Sequence, residues 1–174
     1  MKLIKIKIDG IELETKTGTT ILEAAKSIGI NIPSLCYLKM SDIGYKNNCS
    51  SCRICVVEVK GRKNLAPACS TPVFEGMEVT TNSLRVVKER KTILELMLSD
   101  HPADCLLCVK NGKCELQKLA VDFGIREIRF KGKMTNNRKE YSPSIIRDAD
   151  KCILCKRCET MCREIQTCSV LSSI

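Results

Sequence analysis

The chain has 174 residues, enough for one ordinary domain or two to three small ones, and 44% of them are hydrophobic, enough for packed cores. Aromatics make up 3% with no Trp, so stacking platforms for single-stranded nucleic acid are poorly supplied. The formal charge of +9 would suit a nucleic-acid binder, but that count takes all 13 thiols as neutral, and metal sites would change it.

In KLIKIKIDG, Ile4, Ile6 and Ile8 alternate and predict a strand; Asp9-Gly10 is a hairpin signal before a second strand, IELETK. Thr20 followed by Glu23 predicts a capping box for a short helix, ILEAAKSI, which Gly29 ends. RICVVEVKG reads as a third strand closed by a Gly61 turn, and MEVTT as a later one. Strand, hairpin, strand and helix make a β-grasp opening, so residues 1–80 are expected to form one small sheet crossed by a helix. From Asn82-Ser83 the texture changes. SLRVVKERKTILELMLSD sets Leu84, Val87, Leu94 and Leu98 at helical spacing under a basic face, an amphipathic helix ending before His101-Pro102. CELQKLAVDFG predicts a second, shorter helix stopped by Gly124, which makes 81–122 a small helical unit. The polar stretch from Lys131 to Ser144 is the expected connecting loop, and 140–174 form a third unit. The fold class expected is α+β.

Thirteen cysteines are many, and the number is odd, whereas a secreted disulfide framework wants an even count behind a signal peptide. The N-terminal MKLIKIKIDG has no apolar h-region, so the thiols are expected to be intracellular and reduced, which favours metal ligation. No segment approaches the ~18 to 20 apolar residues of a membrane span, so any membrane association is expected to come through a partner.

The cysteines fall into three groups, one in each unit. Cys36, the pair Cys49 and Cys52, and a distant Cys69 resemble the plant-type 2Fe-2S pattern, with a longer first gap. Cys55 extends CSSCRIC to three equally spaced cysteines, but it opens the VVEV strand and reads as a buried strand thiol. The second group, HPADCLLCVKNGKC, sets His101, Cys105, Cys108 and Cys114 as H-x3-C-x2-C-x5-C. A lone His after a helix would ordinarily favour the helix dipole; four residues ahead of a cysteine pair, ligation is the better reading. Zinc accepts three cysteines and one histidine too, and spacing alone does not choose between the metals. The third group places Cys152, Cys155, Cys158 and Cys162 in C-x2-C-x2-C-x3-C, which is iron-sulfur in character: three cysteines this close suit three corners of a 4Fe-4S cubane.

In this order, the three groups resemble the N-terminal electron-transfer region of iron-only hydrogenases and the N-terminus of the large, G-type iron-sulfur subunit of respiratory complex I; NAD-dependent formate dehydrogenases have a similar region. The resemblance covers essentially the whole chain. It implies a β-grasp 2Fe-2S ferredoxin-like domain with ligands Cys36, Cys49, Cys52 and Cys69, Cys55 excluded. It implies next a small helical domain holding a 4Fe-4S cluster through His101, Cys105, Cys108 and Cys114, then a partial bacterial-ferredoxin-like segment. SPSIIRDADKCILCKRC and CREIQ look especially like the hydrogenase version. These families continue into a second C-x2-C-x2-C-x3-C run, whereas this chain stops. Cys162 resembles a ligand of the absent second cluster, and the fourth ligand beside Cys152, Cys155 and Cys158 is open among Cys162 itself, Cys168, a partner's cysteine or an open iron site.

The function expected is an electron-transfer module with one 2Fe-2S and one or two 4Fe-4S clusters, non-catalytic alone. Its expected partners are other oxidoreductase subunits, ferredoxin or an NAD(P)H-oxidising flavoprotein, and its expected place is the cytoplasm or the periphery of a membrane complex. Oxidised clusters with their ligands would bring the charge from +9 to about +4, which weakens a nucleic-acid reading. The rival is a zinc-stabilised interaction or nucleic-acid-binding protein, disfavoured by the lack of base-stacking aromatics. A complete hydrogenase or dehydrogenase does not fit the length, and no Gly-rich nucleotide fingerprint is present.

Overall fold

Isoleucines on one side of the first strand turn inward and start the core. In the computed structural model, which describes residues 2–45, 50–133 and 140–172, β1 (Leu3–Ile8) buries Ile4, Ile6 and Ile8. It pairs antiparallel with β2 (Ile11–Lys16), from Leu3 opposite Lys16 to Ile8 opposite Ile11. The tight turn takes Asp9 and Gly10 into the left-handed region, φ 49° and 86°, as a primed hairpin turn requires. β3 (Val56–Val59), β4 (Ala66–Pro67) and β5 (Glu78–Thr80) complete a sheet of order β2-β1-β5-β3-β4. Only the β1 and β5 neighbours run parallel; the other three pairings are antiparallel.

Helix α1 (Ile21–Ser27) lies on this core through Ile21, Leu22, Ala24 and Ala25. Its capping box forms as the sequence predicts: Thr20 Oγ1 accepts from the Glu23 N–H at 3.2 Å, and the Thr20 N–H donates to the Glu23 carboxylate at 3.1 Å. The N–H groups of Ile21 and Leu22, which have no partner inside the helix, donate to the carbonyls of Thr71 and Ala68, both at 3.0 Å, so the helix start is tied to the turn that carries Cys69. Thr20→Ala is therefore expected to cost about 1 kcal/mol in urea unfolding.

Helix α2 (Leu84–Ser99) spans the predicted segment, but its buried face differs from the expected stripe. Leu84 is almost fully exposed and Val87 is exposed, while Val86, Arg90, Leu94 and Glu95 are buried. Arg90 is accommodated because its guanidinium donates to the Val56 carbonyl at 2.8 Å, and Glu95 because Arg129 donates to its carboxylate at 2.6 Å. Desolvation pulls the Arg90 pKa down to about 10, a mark of how closely α2 seats there. Hydropathy spacing sees neither partner.

Helix α3 (Glu115–Asp122) ends before Gly124 as predicted. Of the stretch expected as a plain connecting loop, 134–139 lie outside the described residues, and the remainder opens a hairpin: β6 (Glu140–Tyr141) pairs with β7 (Ile146–Arg147) around a turn held by Ser142. Strands of two residues have no period to read. Last comes α4 (Arg157–Thr160), which widens into a π turn at Met161–Ile165. The chain packs as two compact units, Met1–Arg90 with Lys156–Ile174, and Lys91–Cys155. Among the described residues, no helix is long and apolar enough to cross a membrane.

Candidate metal centres

The first centre is assembled by three separate loops around the β-sheet core. Cys36 comes from the segment after α1, Cys52 from the loop before β3, and Cys69 from the turn after β4. All three are buried. Cys49 lies outside the described residues. Ser50 and Arg53 both adopt left-handed φ, 75° and 58°, on either side of Cys52. Such reversals turn successive backbone N–H groups toward one side, the arrangement that favours an anionic ligand. The amides of Ser51 and Cys52 donate to the Cys36 sulfur, and those of Ile54 and Leu35 to the Cys52 sulfur.

The thiols also meet one another. Cys52 and Cys69 donate to Cys36, which holds the Cys36 thiol well below the ordinary thiol range and pushes its two donors up. Ser50 Oγ stands 3.8 Å from the Cys69 sulfur. Buried sulfurs ringed by amide donors fit a cluster of thiolate-bound iron, whose potential depends on such hydrogen bonds. Among the described residues, no three His, Cys, Asp or Glu side chains surround one point as ligands of a single ion would; a two-iron cluster spreads its ligands over two irons. Cys55 is fully buried within the apolar core, with its thiol beside Cys69.

The second centre belongs to the Lys91–Cys155 unit. His101 follows α2, its N–H donating to the Leu98 carbonyl at 3.2 Å, and its Nδ1 lies 3.1 Å from the Pro102 carbonyl. With the Nδ1 proton donated there, Nε2 keeps its lone pair for a metal, as ligating histidines are commonly fixed. Cys105 opens a 3-10 turn, Cys105–Leu107, and Cys108 closes it. Cys114 occupies the cap position of α3, where the helix dipole favours negative charge. Gln117 pins the intervening loop: its Oε1 accepts from the Gly112 N–H and its Nε2 donates to Asn111 Oδ1, both at 3.0 Å. That glutamine sits three residues after the cap, the capping-box position, a signal present in the sequence that its cysteine cap disguises. Cys105 is exposed, as are Leu106, Leu107 and Val109, so this centre is less insulated than the first.

The boundary between the two compact units falls inside the third run. Cys152 and Cys155 belong to one unit, and Cys158, Cys162 and Cys168 to the other. Leu154 and Lys156 take left-handed φ, 52° and 58°, on either side of Cys155. Cys158 is exposed and follows Arg157, whose guanidinium donates to the Tyr37 carbonyl at 3.3 Å, next to Cys36. Cys162 is buried, with its sulfur 3.9 Å from that of Cys168. Amides of Leu171, Val170 and Ser169 donate to Cys162 and lower its pKa. This donor-rich setting suits a thiolate.

One folded region gathers buried cysteines ringed by amide donors, and a second carries His101 and three cysteines on short turns and a helix cap, an arrangement consistent with an iron-sulfur electron-transfer module, and the comparisons with known proteins agree. Residues 1–84 match the 2Fe-2S iron-sulfur cluster binding domain family, and residues 90–129 match the NADH-ubiquinone oxidoreductase-G iron-sulfur binding region. The chain is 57% identical over 175 residues to the NADP-reducing hydrogenase subunit HndD of Solidesulfovibrio fructosivorans, covering 100% of this chain and 30% of that protein. It is 40% identical over 166 residues to a G-type subunit of NADH-quinone oxidoreductase from Rhizobium meliloti (strain 1021), covering 94% of this chain and 19% of that one. The fold superposes with a TM-score of 0.82 and 32% identity on a chain of an NAD+-reducing [NiFe]-hydrogenase in the H2-reduced state, covering 91% of this chain and 65% of that one. The resemblance to the iron-sulfur region of hydrogenases and G-type subunits therefore holds. The chain spans less than a third of the length of the curated relatives named here.

Proposed function

We propose that the chain relays single electrons between a low-potential carrier or an NAD(P)H-linked partner and the catalytic part of a hydrogenase-like or NADH dehydrogenase-like oxidoreductase. The partner at one end is ferredoxin or an NAD(P)H-oxidising flavoprotein, with other oxidoreductase subunits around it. The observation that carries this reading is the buried trio Cys36, Cys52 and Cys69 with its amide donors. Iron-sulfur clusters bound to the chain supply reversible one-electron chemistry. The residues do the rest: they exclude water, hold thiolates and set potentials through hydrogen bonds and ligand type.

In this reading the β-grasp region 1–80 ligates a 2Fe-2S cluster through Cys36, Cys49, Cys52 and Cys69. The helical region 81–122 ligates a 4Fe-4S cluster through His101, Cys105, Cys108 and Cys114. The terminal segment 140–174 offers Cys152, Cys155 and Cys158, with Cys162 or Cys168 as the fourth thiol. Exchange of a thiolate for the neutral His101 removes one negative charge from the second cluster and raises its potential.

Iron, zinc and acid-labile sulfide assays on anaerobically purified protein, with electron paramagnetic resonance on reduction, test this. About ten irons per chain are expected with all centres filled, and about six with the terminal one empty. His101→Cys should keep the iron and lower one midpoint potential. Colourless protein containing zinc and no sulfide would overturn the reading.

A further inference from the structure

Within the Lys91–Cys155 unit, one ion pair ties two cysteine runs together. Asp104, immediately before Cys105, meets Lys151, immediately before Cys152, with Oδ2 3.0 Å from Nζ. Asp104 stands at the cap of the 3-10 turn, yet its carboxylate makes no capping bond there, and it faces Lys151 instead. Among the described residues, its other oxygen, Oδ1, is buried without a hydrogen-bond partner. Both side chains are partly shielded, Lys151 at 28% and Asp104 at 39% exposure, so solvent screens the pair less than an open surface pair.

We propose that Lys151, fixed by Asp104, is a positioning residue that sets the reduction potential of the cluster at His101, Cys105, Cys108 and Cys114. A positive charge held 3.0 Å from the carboxylate of Asp104, the residue that directly precedes Cys105, favours the cluster form with one more electron, so it raises the potential. The aspartate keeps the ammonium at that place and partly offsets it. This rests on the reading that the second centre holds a 4Fe-4S cluster.

The test is a redox titration of the full chain followed by electron paramagnetic resonance, with the cluster identified by the displacement of its signal in His101→Cys. Lys151→Met should retain iron and sulfide and shift the reduction equilibrium of that cluster about tenfold toward the oxidised form, about 59 mV for one electron. Lys151→Arg should stay close to the parent. An unchanged midpoint in Lys151→Met overturns the proposal, as does loss of the cluster in Lys151→Met with no potential shift in Asp104→Asn, which would leave the pair a purely structural clasp. If Lys151→Met does not assemble, Asp104→Asn, which removes the offsetting charge, should move the midpoint upward. Absence of any histidine-dependent 4Fe-4S signal in the parent protein would instead defeat the reading of the second centre.

Discussion

Cys36→Ala should empty the first centre, removing about two irons and two sulfides per chain together with the visible absorbance of a 2Fe-2S cluster. Cys55→Ala, three residues from Cys52, should leave iron and spectrum intact. The two thiols are equally buried, so burial alone does not separate them. Their surroundings do. Cys36 receives amides from Ser51 and Cys52 and contacts both Cys52 and Cys69, whereas Cys55 is a member of the apolar core cluster whose thiol meets Cys69 and the amides of Cys69 and Ala68. Its truncation leaves a small cavity and costs about 1–2 kcal/mol of stability, as partial truncations in cores do. Loss of the 2Fe-2S signal in Cys55→Ala, or its survival in Cys36→Ala, would exchange the roles assigned to these residues.

Arg129→Met should be the most destabilising exposed-site substitution in the second unit. Glu95 is almost wholly buried on α2, while Arg129 reaches it from an exposed position, Nε to Oε2 at 2.6 Å. Removing the arginine leaves a buried carboxylate without that counter-charge, a change that costs about 3–5 kcal/mol when both partners are buried. The solvent-facing arginine brings the expectation to the lower end, about 3 kcal/mol. The damage should reach the proposed second centre, because His101 is anchored on the last turn of α2 through the Leu98 carbonyl. Urea unfolding of the loaded protein measures the loss. A double substitution, Glu95→Leu with Arg129→Met, should recover most of it, since no charge is then left buried. Equal stability of Arg129→Met and the parent would show that water reaches Glu95 freely.

What the sequence makes legible follows from how local each signal is. The β1 alternation, the Asp9-Gly10 turn, the Thr20-Glu23 cap and the cysteine spacings each occupy a few consecutive residues, and each leads directly to an observed element or cysteine-bearing loop. The parallel placement of β5 beside β1 pairs residues some seventy positions apart, Ile8 with Val79, and no local pattern encodes it. The buried face of α2 escapes hydropathy spacing for the same reason. Arg90 and Glu95 look like members of a solvated face until Val56 and Arg129 are brought to them by the fold. Within the metal centres, the thiols are visible as letters, but Ser50, Gln117 and Lys151 become meaningful only through what they touch.

The first centre stands on a finished foundation: Cys69 is part of the apolar core, and Tyr37, next to Cys36, donates to the Glu23 carboxylate that caps α1. Its three described thiols are buried on segments that the apolar core holds in place. Cys105 and Cys152 are exposed on short turns and Cys158 on the single-turn helix α4, where a bound metal would contribute much of the local order. Oxidative wear therefore falls unequally. A first centre stripped of iron is expected to keep Cys36, Cys52 and Cys69 buried in place, whereas stripped second and third centres are expected to need refolding around their replacements.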